Sequence, residues 1–215
     1  MLAMERVLLV ENIYSQLKED IINLEYKQGI IIGEKELAAK YSVSKTPVRE
    51  ALNRLCLEGY IEKFPNKGYM VKGFTVKDLQ DIFQYRSILE CAAIELTISY
   101  ASDQEISLLR QATDIQDTNT DIDKARIYND INHKFHLAMA YLSKNPYLSN
   151  ELENILNQTR RILLLDMRSY DIDRLTKSHL AIIDSIEKRD SEAAKALIKS
   201  HIYDAQLRIY MKQTS

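Results

Sequence analysis

Five glycines and three prolines are spread over 215 residues, so long stretches contain neither of the residues that interrupt helical backbone. Against Ala, Gly costs a helix about 1 kcal/mol and Pro about 3, and this scarcity makes a mainly helical fold the expectation. The length suffices for one large or two modest domains. A hydrophobic content of 46% with 28% charged residues belongs to a globular protein rather than a disordered one. Two isolated cysteines, Cys56 and Cys91, make no disulfide framework and no CxxC pair, which fits a reducing compartment. The apolar run at 7–10 is cut off by Glu11 with no cleavage site behind it. No apolar stretch approaches the roughly 20 residues that span a bilayer. A soluble, cytoplasmic protein without a membrane partner is expected.

Along the chain, Leu9, Ile13, Leu17, Ile21 and Leu24 form a helical stripe over 8–24. A loop over 25–33 follows, then a short helix at 34–40, a turn at 41–43 and a third helix at 44–57, with Gly59 as its stop signal. The β-prone runs Tyr60 to Phe64 and Gly68 to Val71 flank Pro65-Asn66-Lys67 and read as a hairpin. Helix, helix-turn-helix and hairpin, in that order, make a winged helix-turn-helix over residues 1–73. From 74 to 215 everything reads as helix. Thr75 with Asp78 and Ser102 with Glu105 have capping-box spacing, and Asn145-Pro146 supplies an N-cap ahead of a first-turn proline. Six helices, at about 76–100, 103–117, 123–143, 146–168, 172–189 and 191–212, predict an all-helical bundle with an internal ligand cavity. The fold class is therefore mainly α, a winged helix followed by a helical bundle.

Net charge is −2, so bulk charge does not mark a polyanion binder. Over residues 34–72, eight basic and five acidic residues leave a local excess of +3, and a DNA argument must rest on placement. In the third helix Val48, Ala51, Leu52 and Leu55 share one face, while Lys45, Thr46, Arg49 and Asn53 share the other, biased to the N-terminal half. That half enters the major groove in helix-turn-helix docking. Arg can bond guanine bidentately, and Asn can pair with adenine. Ser44 as N-cap would leave backbone N–H groups facing phosphate. The wing adds Asn66, Lys67 and Gly68. Alone, such a strip is as a rule a solvated helix face; the wing, the turn and the N-terminal bias point to DNA.

The segment GEKELAAKYSVSKTPVREALNRLCLEGYIEKFPNKGYMV, residues 33–71, resembles the DNA-binding domain of the GntR family without a gap. The resemblance implies that the positions of Lys35, Lys45, Thr46, Arg49 and Gly68 contact DNA. Lys35 and Lys45 stand where the family usually has Arg, which keeps phosphate attraction and loses the bidentate fork. Asn132-His133-Lys134-Phe135-His136, Ser143-Lys144-Asn145-Pro146, Ser178-His179-Leu180 and 193–202 resemble the FCD effector domain of one branch of that family (the FadR branch, with the six helices of its VanR-type subgroup).

Of four histidines, His136, His179 and His201 lie on three different predicted helices, and Asn132 shares a helix face with His136. From spacing alone, dispersed histidines are usually surface or singly hydrogen-bonded side chains. Converging, they would be a ligand set for a divalent transition metal. Metal-binding members of the resembling domain hold the ion with an Asp and three His. The matching positions here are Asn132, His136, His179 and His201, with zinc or nickel as the implied ion and an amide in place of the carboxylate. His133 falls on a neighbouring face as a structural or surface residue. Arg86 and Glu90, four apart, read as an i,i+4 ion pair worth a few tenths of a kcal/mol. The resemblance instead places Arg86 in the effector cavity, on an anionic group.

The expected function is a sequence-specific transcription regulator, a homodimeric repressor on a palindromic duplex operator, controlled by a small carboxylate-bearing metabolite. An alternative is a metal-dependent hydrolase using His136, His179 and His201, but no HExxH and no placed general base accompany them. A winged helix that binds protein would present an apolar or acidic strip, which Lys45 and Arg49 oppose.

Overall fold

Helix α1 (Leu2–Ile22) turns Ile13, Leu17 and Ile21 to one side, and all three are buried in one hydrophobic core with residues of the following elements. The computed structural model describes residues 2–113, 121–165 and 171–213. It divides into two units, one ending at Phe74 and one beginning at Thr75. No helix among the described residues is long and apolar enough to cross a membrane.

In the first unit, α1 is followed by β1 (Ile31–Ile32), α2 (Glu34–Lys40), α3 (Lys45–Leu57), β2 (Ile61–Phe64) and β3 (Gly68–Val71). Helix α3 buries Val48, Ala51, Leu52 and Leu55 completely against α1. The Val and Leu side chains each contribute about 1.5–3 kcal/mol relative to exposure. Its C-terminus closes in a Schellman arrangement. Gly59, at φ +78°, donates to Cys56 O at 3.1 Å while Tyr60 donates to Leu55 O at 3.0 Å. The N-cap differs from expectation: Ser44 holds the position with extended backbone, but its hydroxyl makes no capping bond.

The wing is larger than a hairpin. The segment expected as a loop over 25–33 contains β1, whose Ile31 and Ile32 pair with Met70 and Tyr69, giving the antiparallel order β1-β3-β2. A two-residue strand carries no period-2 signal of its own; only its partner defines it. This third strand explains Gly68, which has φ +121° and sits so close to β1 that a Cβ would lie 2.6 Å from Ile32 O. The close approach is to the protein's own backbone. Gly68→Ala is expected to cost the first unit about 1–3 kcal/mol, read as a lower urea midpoint. An unchanged midpoint would show that β1 can retreat freely.

The second unit comprises α4 (Val76–Tyr100), α5 (Asp103–Ser107), a 3-10 segment (Leu108–Thr113), α6 (Asp121–Leu142), α7 (Pro146–Leu164), α8 (Ile172–Glu187) and α9 (Ser191–Gln213). Thr75 and Ser102 both form complete capping boxes. Asn145 Oδ1 accepts from the Tyr147 and Leu148 N–H groups at 3.2 Å. The helix expected over 103–117 is α5 plus the 3-10 segment. Ile106, in α5, and Leu109, in the 3-10 segment, are both buried. Residues 114–117 of that expectation, and 166–168 of the expected helix at 146–168, lie outside the described residues. Helix α4 packs against α6, α7 and α9, and α8 against α9, so α4, α6, α8 and α9 can all send side chains into one interior.

Candidate functional site

In the first unit, Ser44, Lys45, Thr46, Arg49 and Asn53 are all exposed on the side of α3 opposite its buried face. Lys35, on α2, and Lys67, in the β2–β3 turn, are exposed as well, and Gly68 opens β3 half-buried. Arg49 is not idle. Its Nε donates to Glu34 Oε1 at 3.0 Å and its Nη2 to Glu34 Oε2 at 2.7 Å, a two-point ion pair from α3 to the first residue of α2. The Tyr69 hydroxyl donates to the same carboxylate at 3.3 Å. Arg49, foremost, holds Glu34 below the usual carboxylate range. The fork that could read a guanine thus already has its shape set by an intramolecular carboxylate. No local pattern marks Glu34 as a partner of Arg49, which is fifteen residues away on another helix.

In the second unit, His136 from α6, His179 from α8 and His201 from α9 bring one ligand atom each within 4.8 Å of one another. His136 Nε2 lies 3.1 Å from His201 Nε2 and 3.2 Å from Asn132 Oδ1. His201 Nδ1 is 3.1 Å from Ser178 Oγ. His179 is completely buried and stacked on Phe135 at 4.0 Å between centroids, and neither of its ring nitrogens has a hydrogen-bond partner. The structure thus brings all four residues named from the sequence to one place. His133 is outside this cluster, half-buried, and burial pushes it down to about 4.

Burial holds His136, His179 and His201 well below the ordinary histidine value, so the rings are neutral and each presents a nitrogen lone pair. A buried polar atom without a partner costs about 1–3 kcal/mol, and His179 has two. Lone pairs from three imidazoles and an amide oxygen crowd one point. A cation that accepts them would satisfy the orphaned nitrogen and relieve the crowding. Nitrogen-rich donors with one oxygen suit a borderline transition ion of the zinc or nickel type, so the residues present fit such a metal.

Of the two readings of Arg86 and Glu90, an ordinary i,i+4 pair or an Arg86 placed in the effector cavity, the structure keeps the pairing but buries it. The two residues are 1% and 0% exposed, with Arg86 Nε donating to Glu90 Oε1 at 2.5 Å. Arg86 Nη2 is buried with no partner. The other Glu90 oxygen lies 2.6 Å from His136 Nδ1; with Glu90 as carboxylate and the imidazole neutral, Nδ1 would carry the proton and donate. Burial pushes the Glu90 carboxyl upward against the pull of Arg86. From the sequence Glu90 reads only as a neighbour of Arg86. Its contact with His136 joins α4 to α6 across 46 residues, and no local pattern signals that.

Two family models match the chain: bacterial regulatory proteins of the gntR family over residues 9–71, and the FCD domain over residues 81–204. The Nta operon transcriptional regulator of Aminobacter aminovorans is 32% identical, with 84% of this chain and 85% of that protein aligned. The HTH-type transcriptional repressor RspR of Escherichia coli (strain K12) is 23% identical over 90% and 86% of the two chains. Among solved structures, E. coli McbR/YncC superposes with a TM-score of 0.77 at 20% identity, covering 95% of this chain and 98% of that one. At that identity the last comparison speaks for the fold.

Proposed function

The chain belongs to the gntR family of bacterial regulatory proteins and carries an FCD domain, and from that premise we propose a metal-assisted, carboxylate-responsive repressor acting in the cytoplasm. It is a DNA-binding transcription regulator and not an enzyme, which removes the hydrolase alternative. In this reading residues 1–73 bind the operator and residues 74–215 bind the effector. Lys45, Thr46, Arg49 and Asn53 enter the major groove. Lys35, Ser44, Lys67 and Gly68 approach the phosphate backbone, and a homodimer matches a palindromic site.

Asn132, His136, His179 and His201 would hold the ion, zinc or nickel. When bound, the ion supplies a Lewis-acidic site with positions left open for an anionic ligand. Arg86, whose Nη2 is buried and unpartnered, turns its remaining guanidinium donors to the same ligand as a hydrogen-bonding fork for carboxylate. The Phe135 ring against His179 keeps water from one side of the cluster. An effector regulates only if it binds two arrangements of the dimer with different affinity.

The observation that carries this reading is the orphaned polar interior, the His179 nitrogens and Arg86 Nη2, within a chain whose first unit exposes a cationic strip on α3. Fluorescence anisotropy on a duplex from the region upstream of the protein's own gene tests the DNA half. Arg49→Ala is expected to weaken binding roughly 5- to 100-fold, with loss of discrimination at one base position. Wild-type affinity should also fall steeply with salt. An Arg49→Ala protein that binds as wild type sinks the assigned recognition surface.

A further inference from the structure

All four side chains that converge on the candidate metal position, Asn132, His136, His179 and His201, are neutral, and the amide of Asn132 brings no charge. Placing a dication among neutral groups in a dry interior is costly unless an anion lies near. Among the described residues, the carboxylate in direct contact with this cluster is Glu90, completely buried and 2.6 Å from His136 Nδ1. We propose that Glu90 is the positioning residue of the site, fixing His136 with Nε2 toward the metal and supplying through the imidazole the negative charge that the ligand set lacks.

This inference rests on the metal reading above and adds a role to a residue outside the ligand set. A carboxylate accepting from the remote ring N–H of a ligating histidine sets its tautomer and raises its basicity. Here the second oxygen of the same carboxylate is held by Arg86 Nε. Arg86, Glu90 and His136 therefore form one hydrogen-bonded row. Glu90 faces Arg86 on its own helix and His136 on α6, so its orientation is fixed from both sides. An anion drawn to the free Arg86 Nη2 would compete for the guanidinium charge that Glu90 now shares, which ties effector and metal to one carboxylate. Reciprocity then requires each to alter the affinity of the other.

The test uses the full chain and zinc as probe, with affinity read by competition against a chromophoric chelator and the His136 tautomer read by ring 15N chemical shifts. Glu90→Gln keeps the shape and removes the charge. The Gln amide must offer its oxygen to Arg86 and its NH2 to His136 Nδ1, which drives the ring proton to Nε2. Expected are a roughly 10- to 100-fold weaker zinc affinity and a His136 ring moved off the Nδ1–H form in the metal-free protein. If Glu90→Gln alone fails to fold, the double variant Glu90→Gln/Arg86→Met takes its place with the same expected loss of zinc affinity. Without Arg86 the Gln oxygen is free to accept from Nδ1–H, so for that variant the affinity alone decides, and zinc bound as tightly as in wild type overturns the proposal. A folded single variant that binds zinc as wild type and keeps the Nδ1–H ring overturns the proposal while leaving the metal reading intact. A wild-type protein that takes up no zinc overturns both.

Discussion

His179→Ala is expected to emerge from purification without bound metal, and the wild-type protein with one ion per chain. His179 contributes a fully buried ring with both nitrogens unpartnered, so a ligand bond is the one strong interaction open to it. Its removal leaves two imidazoles and an amide, three of the four donors that the proposed site offers. The ring also fills space against Phe135, and alanine leaves a cavity there. His179→Phe, which restores the volume, separates lost ligation from lost packing. Elemental mass spectrometry of untagged, as-purified protein reads the result directly. Metal retained at full stoichiometry in both variants would remove His179 from the ligand set. No metal in the wild type, even after reconstitution, would mean that Asn132 in place of a carboxylate has broken the site. Effector recognition would then fall to Arg86 and its neighbours.

The second large effect concerns stability. Arg86→Ala is expected to cost the helical unit about 3–5 kcal/mol, the range for removing one partner of a buried ion pair. Arg86 is 1% exposed and Glu90 0%. Truncation strands the Glu90 carboxylate in the interior with His136 as its remaining hydrogen-bond partner. A helix-surface pair of the same i,i+4 spacing would lose a few tenths of a kcal/mol, so the two readings differ by roughly tenfold. Urea denaturation followed by far-UV circular dichroism distinguishes them, and a loss below about 1 kcal/mol would place the pair in water. The same cost warns against Arg86→Ala as a probe of effector binding, since loss of response would be confounded with unfolding. Arg86→Lys keeps a charge for Glu90 and removes the fork.

Much of the architecture is written locally. The buried face of α3 appears as Val48, Ala51, Leu52 and Leu55 at helical spacing, and its end as Gly59, because helix period and chain reversal depend on residues within one or two turns. The capping boxes at Thr75 and Ser102 are legible for the same reason: cap and acceptor are three residues apart. The strip Lys45, Thr46, Arg49 and Asn53 follows from the same periodicity once the apolar face is known. The histidines carried no local signal, and their grouping came from resemblance.

Most of the elements, their order and the apolar face of each helix are thus legible along the chain, since all of these are properties of short stretches. Tertiary structure alone decided that Ile31–Ile32 is a strand, that Glu34 grips Arg49, that the Arg86–Glu90 pair is dry and that Glu90 reaches His136. Each of those contacts joins groups on different elements, or depends on what other elements cover. The energy that places them comes from burying surfaces far apart in the chain, and no window of neighbouring residues contains it.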